Sequence, residues 1–141
     1  MKTNKQVEII IFKKVEKELF FLILKRSPRK GGFWQPITGG IEEKETFEEA
    51  ATREIGEEIG VISGIKLIDI GYSFEFFDHG ENHFEKVFAV EVKPETKIVI
   101  SEEHTEFKWV SGQVAIDQFL KYEKNKEGFK NLIKFLNQIQ S

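Results

Sequence analysis

The hydrophobic and polar positions along the chain predict a mixture of strands and helices. Residues 7–13 and 18–25 are rich in Ile, Val, Phe and Leu and are separated by the charged KVEK, which predicts a β-hairpin. Further strands are predicted near 66–77, 84–93 and 105–110, and amphipathic helices near 112–122 and 126–139. This pattern predicts an α+β or α/β fold and argues against an all-α fold.

Between the hairpin and the next predicted element, residues 26–40 read RSPRKGGFWQPITGG. Glycines, prolines and basic residues around the pair Phe33–Trp34 disfavour regular structure and favour a ligand-facing loop. Either ring is able to stack on a flat ligand, but packing in the core is the more common role of such residues.

The clearest helix begins after this loop. Thr46 and Glu49 have the spacing of a capping box, in which the hydroxyl accepts the N3 amide and the carboxylate accepts the cap amide. Gly60 predicts the end of the helix. The helix is therefore expected to fill the segment between Thr46 and Gly60.

This helix carries glutamates on its apolar side. At about 100° per residue, the residues within roughly 60° of Glu54 are Phe47, Ala50, Ala51, Glu57 and Glu58. The three carboxylates lie at i, i+3 and i+4 and near the negative end of the helix dipole, and each arrangement is unfavourable by several tenths of a kcal/mol. A solvated face is the ordinary interpretation of a Glu-rich helix, but local rules broken together are typical of a functional site.

A divalent cation is the simplest compensation for this charge. Without Cys or clustered His, carboxylate oxygens favour Mg²⁺ or Mn²⁺. Because Mg²⁺ shares its coordination shell with substrate phosphates, such a metal implies phosphate chemistry. Arg53 either pairs with a neighbouring carboxylate or is an exposed surface arginine, and helix geometry leaves both interpretations open.

Composition narrows the possible functions. A length of 141 residues predicts a single domain over residues 1–141. With 21 basic and 24 acidic residues, the net charge of -3 gives no general reason to bind a nucleic-acid polymer or an anionic membrane. The absence of Cys excludes disulfides and a cysteine nucleophile. The longest apolar run, LFFLIL, is too short to span a bilayer, and the N-terminal sequence lacks signal-peptide features, which predicts a cytoplasmic protein.

A family signature extends from Gly39 to Val61. The spacing Gx5Ex7REUxEExGU, the Nudix box with U a bulky aliphatic residue, is met at Gly39, Glu45, Arg53, Glu54, Ile55, Glu57, Glu58, Gly60 and Val61. The chain therefore resembles the Nudix hydrolases. The resemblance implies an α/β/α sandwich of the α+β class, with a mixed sheet between helices, and hydrolysis of a diphosphate linked to another group X.

The resemblance also implies residue roles. Glu54, Glu57 and Glu58 would bind Mg²⁺ or Mn²⁺, and the loop from Thr38 to Glu45 would shape the metal site. The box positions with structural roles would be Gly39, Glu45, Arg53 and Gly60. Water would attack phosphorus, with Glu54 or a later carboxylate, Glu58 or Glu103, accepting its proton.

Two further segments, FWQPITGGIE at 33–42 and SEEHTEFKWV at 101–110, resemble segments of dihydroneopterin triphosphate pyrophosphohydrolases and related dATP-hydrolysing enzymes. By this resemblance Glu103 would be a further metal ligand or the base. His104 either positions substrate or is a hydrogen-bonded loop histidine. Substrate contacts are expected from Arg26, Trp34 and Thr38 and, with poorer flanking matches, from Lys5 and Asn125.

The sequence thus predicts a metal-dependent pyrophosphohydrolase that cleaves a nucleoside or pterin triphosphate, of the dATP or dihydroneopterin triphosphate type, to a monophosphate and pyrophosphate. A diadenosine polyphosphate hydrolase is less favoured, because such enzymes usually have Pro-Lys-Gly or Pro-Gly-Gly where this chain has PITGG. An ADP-ribose hydrolase and a non-catalytic nucleotide-binding module are further alternatives. The sequence predicts neither the group X nor whether the protein is a monomer or a homodimer.

Overall fold

The computed structural model of the protein describes residues 3–140. Its strands are β1 (Thr3–Val15), β2 (Glu18–Arg26), β3 (Trp34–Gln35), β4 (Ile37–Gly40), β5 (Ile68–Asp78), β6 (Glu81–Glu91) and β7 (His104–Val110). Its α-helices are α1 (Phe47–Ile59), α2 (Gly112–Val114) and α3 (Glu123–Gln140). A 3₁₀ turn at Pro28–Lys30 follows β2, and a π-helical turn at Ala115–Phe119 continues α2.

The strands form a mixed sheet around the long strand β1. Strand β6 runs parallel to β1 and pairs on its other side with β5. Antiparallel to β1, β2 pairs with its carboxyl-terminal part and β4 with the part near its amino terminus. Strands β3 and β7 both pair with β2. The predicted hairpin and the mixed sheet are therefore confirmed.

Alternation along the strands separates the core into two layers. One face of the sheet buries Val7, Ile9 and Ile11 against Ile55 and Ile59 of α1. The opposite face buries strand residues against α3 and the segment that precedes it. The strand residues are Ile10, Phe12, Phe21 and Ile23, and the helical residues are Ala115, Phe129, Leu132 and Leu136. Helices on both faces of a mixed sheet confirm the predicted α/β/α sandwich.

Local signals determine both ends of α1. The Thr46 hydroxyl accepts from the Glu49 amide at 3.0 Å, and Glu49 Oε1 accepts from the Thr46 amide at 2.9 Å. Gly60 ends the helix with φ 73°, a left-handed conformation that glycine adopts without steric cost. The capping box and the helix end predicted from the sequence are confirmed.

Two predictions need correction. The segment 26–40 is not a loop throughout, because β1 and β2 offer backbone partners that order Ile37–Gly40 and Trp34–Gln35 as strands. The helix predicted at 112–122 ends earlier, because Leu120 is extended, with ψ 131°, after the π-helical turn. Tertiary pairing and packing override composition in both places.

Within residues 3–140, none of the helices combines the length and the apolar character needed to cross a membrane.

Candidate active site

Arg53 of α1 lies at the centre of a cluster of acidic side chains next to the end of β4. Its guanidinium donates to both oxygens of Glu45, at 2.8 and 3.0 Å, and to the Gly40 carbonyl at 2.9 Å. It also donates to Glu54 Oε1 at 2.7 Å and contacts Glu57 at 3.3 Å. Arg53 is therefore paired with neighbouring carboxylates and is not an exposed surface arginine. It also ties α1 to the end of β4.

Glu45 is held from two sides. It accepts from Arg53 in a fork and from the Glu42 amide at 2.9 Å. The Arg53 hydrogen bonds, followed by the Glu42 amide, lower the pKa of Glu45 to about 2. In turn, the pKa of Arg53 is raised, chiefly by Glu45 and to a lesser extent by Glu54. Glu45 and Arg53 thus hold α1 against the end of β4 and the loop that follows it, and their structural roles in the box stay a prediction.

Glu54 is buried at the middle of α1 and packs directly onto β4. An added Cβ at Gly39 would lie 2.2 Å from Glu54 Cδ and 2.5 Å from its Oε1. Glycine is therefore needed at position 39 for the carboxylate to occupy its place. Burial raises the pKa of Glu54, while the hydrogen bond from Arg53 opposes that increase.

Glu58, one turn further along α1, is also buried. Its Oε2 accepts from the Ser101 hydroxyl at 3.2 Å, and His104 Nδ1 lies 2.9 Å from the same oxygen without hydrogen-bond geometry. The Ser101 amide donates to the Glu58 carbonyl at 3.1 Å. These contacts bring the segment before β7 against α1.

Glu103 reaches the site from that same segment. Lys30 Nζ donates to its Oε1 at 3.0 Å, and this bond is the main cause that lowers the pKa of Glu103. The positive charge of Arg26 contributes to the same lowering. The Ser27 amide donates to the Glu103 carbonyl at 2.9 Å. The basic turn at Pro28–Lys30 therefore lies beside Glu103.

The helical angles placed Glu57 with the apolar face, but its side chain is 54% exposed. At position i+3 from Glu54 it lies at the border of the buried stripe, where it contacts Arg53 one turn earlier. Glu54 and Glu58 are 8% and 5% exposed. Two of the three carboxylates are therefore inside and the third faces solvent.

The donor set suits a divalent cation in its chemistry. Among residues 3–140, no three acidic or histidine side chains converge in an arrangement that holds a metal ion as they stand, and Arg53 instead gathers the neighbouring carboxylates. Four carboxylates, those of Glu42, Glu45, Glu54 and Glu57, lie within 3.6 Å of that one guanidinium. The cluster therefore carries an excess of negative charge, and its carboxylate oxygens are the kind of ligand that Mg²⁺ or Mn²⁺ prefers.

A cleft of about 510 Å³ lies on the other side of β4. The predicted substrate residues Arg26, Thr38 and Asn125 all line it, together with Phe33. Trp34 is not among its lining residues and packs edge-on against Phe119, with ring centroids 5.5 Å apart. Lys5 lies in a separate depression next to Gly40–Glu45. The structure thus brings three of the five predicted contacts together and favours Phe33 over Trp34 as the ring that faces a ligand.

Sequence reasoning missed a buried acidic pair beside this cleft, Glu8 and Glu85. The available signal was a glutamate within the apolar run VEIIIF of β1, which breaks the pattern of a strand buried on both faces. Ser101, which donates to the predicted site residue Glu58, was also missed.

A sequence model of the NUDIX domain matches residues 2–133. The chain belongs to the NUDIX domain family. It is a hydrolase that acts on phosphoric anhydride bonds.

Two curated relatives differ in how much of their own length is matched. The chain is 32% identical to dihydroneopterin triphosphate diphosphatase of Haemophilus influenzae over an alignment 145 residues long, gaps included, which covers 94% of this chain and 89% of the relative. It is 35% identical over 117 residues to an octanoyltransferase of Myxococcus xanthus, covering 79% of this chain but spanning about a third, 32%, of that relative.

Solved structures share the fold. A C. elegans Ap4A hydrolase binary complex has a TM-score of 0.86 at 22% identity, with 96% of this chain and 99% of that chain covered. The E. coli dihydroneopterin triphosphate pyrophosphohydrolase has a TM-score of 0.79 at 28% identity, with 93% and 95% covered.

Proposed function

We propose that the protein is a pyrophosphohydrolase that uses Mg²⁺ or Mn²⁺ to cleave a pterin or nucleoside triphosphate to its monophosphate and pyrophosphate. The observation that carries this proposal is the burial of Glu54 and Glu58 on one face of α1. Gly39 leaves the space that the Glu54 carboxylate occupies. The similarity to dihydroneopterin triphosphate diphosphatases over most of the chain supports the substrate type. The proposal includes that the protein is a single domain and that it is cytoplasmic.

The metal would be held by Glu54, Glu57 and Glu58, with Glu103 as a further ligand. When bound, a divalent cation neutralises charge on phosphate oxygens and lowers the pKa of a coordinated water. Arg53 would remain the anchor that keeps the helix and the end of β4 together through Glu45 and the Gly40 carbonyl. Metal binding would require Glu54 and Glu57 to leave their present hydrogen bonds to Arg53.

The chain's own groups account for the remaining roles. In the hydrolysis, the oxygen of water forms a bond to phosphorus, the anhydride oxygen leaves with pyrophosphate, and the water proton passes to a carboxylate of Glu54, Glu58 or Glu103. Arg26 and Lys30 would bind phosphate oxygens, since both lie beside Glu103. Thr38 would contact the substrate where the cleft meets β4.

A substrate panel tests the proposal. Purified protein with Mg²⁺ is incubated with dihydroneopterin triphosphate, dATP, diadenosine tetraphosphate and ADP-ribose, and the products are separated by chromatography. We expect a monophosphate and pyrophosphate, with the pterin or dATP turned over most efficiently. Preference for ADP-ribose or diadenosine tetraphosphate would contradict the substrate assignment and leave the reaction class in place. No Mg²⁺-dependent hydrolysis of any compound would favour a nucleotide-binding module.

A further inference from the structure

The cleft beside β4 has aromatic walls and a polar floor. Rings of Phe33, Phe74, Phe76 and Tyr122 line it. Gln35, Glu85 and Asn125 line it as well, and each of the three is at least nine-tenths buried. A cleft of this composition suits a flat heterocycle whose edge carries hydrogen-bonding groups, because rings cover the faces while polar groups meet the edge.

Gln35 is a polar side chain that the fold leaves without a partner. It is 6% exposed and lines the cleft, yet within residues 3–140 its side-chain amide has no hydrogen bond. Its amide oxygen and nitrogen are not fully buried, so solvent or a ligand in the cleft is able to hydrogen-bond to them. Gln35 therefore offers a donor and an acceptor to a molecule in the cleft, in addition to the acidic residues.

A second unusual feature is the pairing of Glu85 in the floor with Glu8, which is fully buried and does not itself line the cleft. Asn125 Nδ2 donates to Glu8 Oε1 at 2.7 Å, whereas the other oxygen of Glu8 is buried and has no donor among the described residues. Burial, followed by the charge of Glu85, raises the pKa of Glu8 well above its usual value, and burial raises the pKa of Glu85 to about 7. A proton kept on Glu8 bonds to Glu85, which leaves the carboxylate of Glu85 as an acceptor facing the cleft.

The floor is connected to the acidic cluster of α1 through two consecutive residues. Thr38 lines the cleft, whereas the adjacent Gly39 packs against Glu54. Neighbouring residues in a strand face opposite sides of the sheet. A substrate that extends around β4 would therefore have one end in the cleft, which Arg26 also lines, and the other near the carboxylates.

We propose that the cleft binds the heterocycle of the substrate and selects the 2-amino-4-oxopyrimidine edge shared by pterins and guanine. Glu85 accepts from the adjacent ring N–H and amino groups of that edge, and the Gln35 amide donates to the neighbouring oxo group. Adenine fits this floor poorly, because it presents a ring nitrogen acceptor to the carboxylate beside its single amino donor. This inference rests on the proposed function and narrows its substrate to the pterin or guanine side.

Binding without catalysis tests the assignment. Isothermal titration calorimetry at pH 8 with EDTA measures the Kd of GMP and AMP, which share the ribose phosphate and differ in the base, and of neopterin. We expect GMP to bind at least about tenfold more tightly than AMP, and neopterin to bind detectably without any phosphate. Equal affinities for GMP and AMP, or tighter binding of AMP, would overturn the assignment, as would failure of neopterin to bind.

Two variants locate the selectivity. Glu85→Gln replaces one acceptor by a donor and should reduce the GMP preference about tenfold, and Gln35→Leu should weaken GMP and neopterin more than AMP. Glu75→Gln is the matched control, because Glu75 is exposed on β5 between the cleft residues Phe74 and Phe76 and is not itself a lining residue. Unchanged selectivity in both folded variants would contradict the roles of these residues. If Glu85→Gln fails to fold, the wild-type comparison of GMP with AMP still decides the inference.

The outcome is separable from that of the proposed function. GMP-selective binding together with no release of pyrophosphate from any triphosphate would support the cleft assignment and refute the hydrolase substrate class. Pyrophosphate release from dATP with no preference for GMP over AMP would support the hydrolase and refute the cleft assignment.

Discussion

Gly39→Ala tests how closely the placement of Glu54 depends on the strand beside it. The added methyl carbon would lie 2.2 Å from Glu54 Cδ and 2.6 Å from Cγ. Ordinary van der Waals contact begins at 3.4 Å, so the carboxylate has to move by at least about 1.2 Å. The backbone at Gly39 does not have positive φ, so steric contact with Glu54 is the main perturbation.

The expected effect is larger on activity than on stability. A displacement of about 1 Å in a group that positions reacting atoms costs on the order of 10²-fold in rate. Relief of the contact by rotation of one flexible side chain costs about 1 kcal/mol, which lowers Tm by roughly 3–4 °C in a chain of this length. We therefore expect kcat/KM for Mg²⁺-dependent hydrolysis to fall about a hundredfold while the protein remains folded.

The adjacent glycine provides the control. An added Cβ at Gly40 meets nothing within 4 Å, and the substitution keeps the carbonyl that accepts from Arg53. Steady-state kinetics and thermal unfolding by circular dichroism are measured for both variants. Wild-type kcat/KM for Gly39→Ala, or an equal loss for Gly40→Ala, would refute the idea that Gly39 sets the position of Glu54.

Further predictions address the helix cap, the acid stability and the metal. Thr46→Ala removes the hydroxyl of the capping box and should lower stability by about 1 kcal/mol; calorimetry that shows no decrease in Tm would contradict this. The pKa of Glu45 in the folded protein is about 2, below the usual value of 4.5, so its contribution to stability is present above about pH 4.5 and is lost as pH falls towards 2. Glu45→Gln should therefore flatten the dependence of Tm on pH in that window, and an unchanged dependence would count against the Arg53 fork. Glu58→Gln should weaken Mn²⁺ binding at least tenfold in an electron paramagnetic resonance titration, whereas Glu48→Gln, on the exposed side of α1, should leave it unchanged.

Features set by neighbouring residues were accessible from the sequence. The capping box, the glycine that ends α1 and the hairpin all depend on contacts between nearby residues, and the structure has each of them. The box glutamates were accessible because helical periodicity relates them directly. The angles were less reliable at the border of the stripe, where the side chain of Glu57 is 54% exposed.

Features that depend on distant partners were not accessible. Strands β3 and β4 exist because β2 and β1 bind their backbones, which the Gly- and Pro-rich composition does not reveal. The cleft combines residues from strands β1 to β6 and from α3. Behind its floor, Glu8 contacts Glu85 and Asn125, which are distant from it along the chain. No periodicity in one element predicts that such residues share a wall.

The most direct test of the account is the rate of pyrophosphate release from dihydroneopterin triphosphate with Mg²⁺, measured for the wild type, Glu58→Gln and the exposed control Glu48→Gln. We predict release by the wild type and by Glu48→Gln, abolished by EDTA, and loss of at least two orders of magnitude in Glu58→Gln with an unchanged circular dichroism spectrum. Undiminished release by folded Glu58→Gln, or release that persists in EDTA, would contradict the role assigned to the buried glutamates of α1.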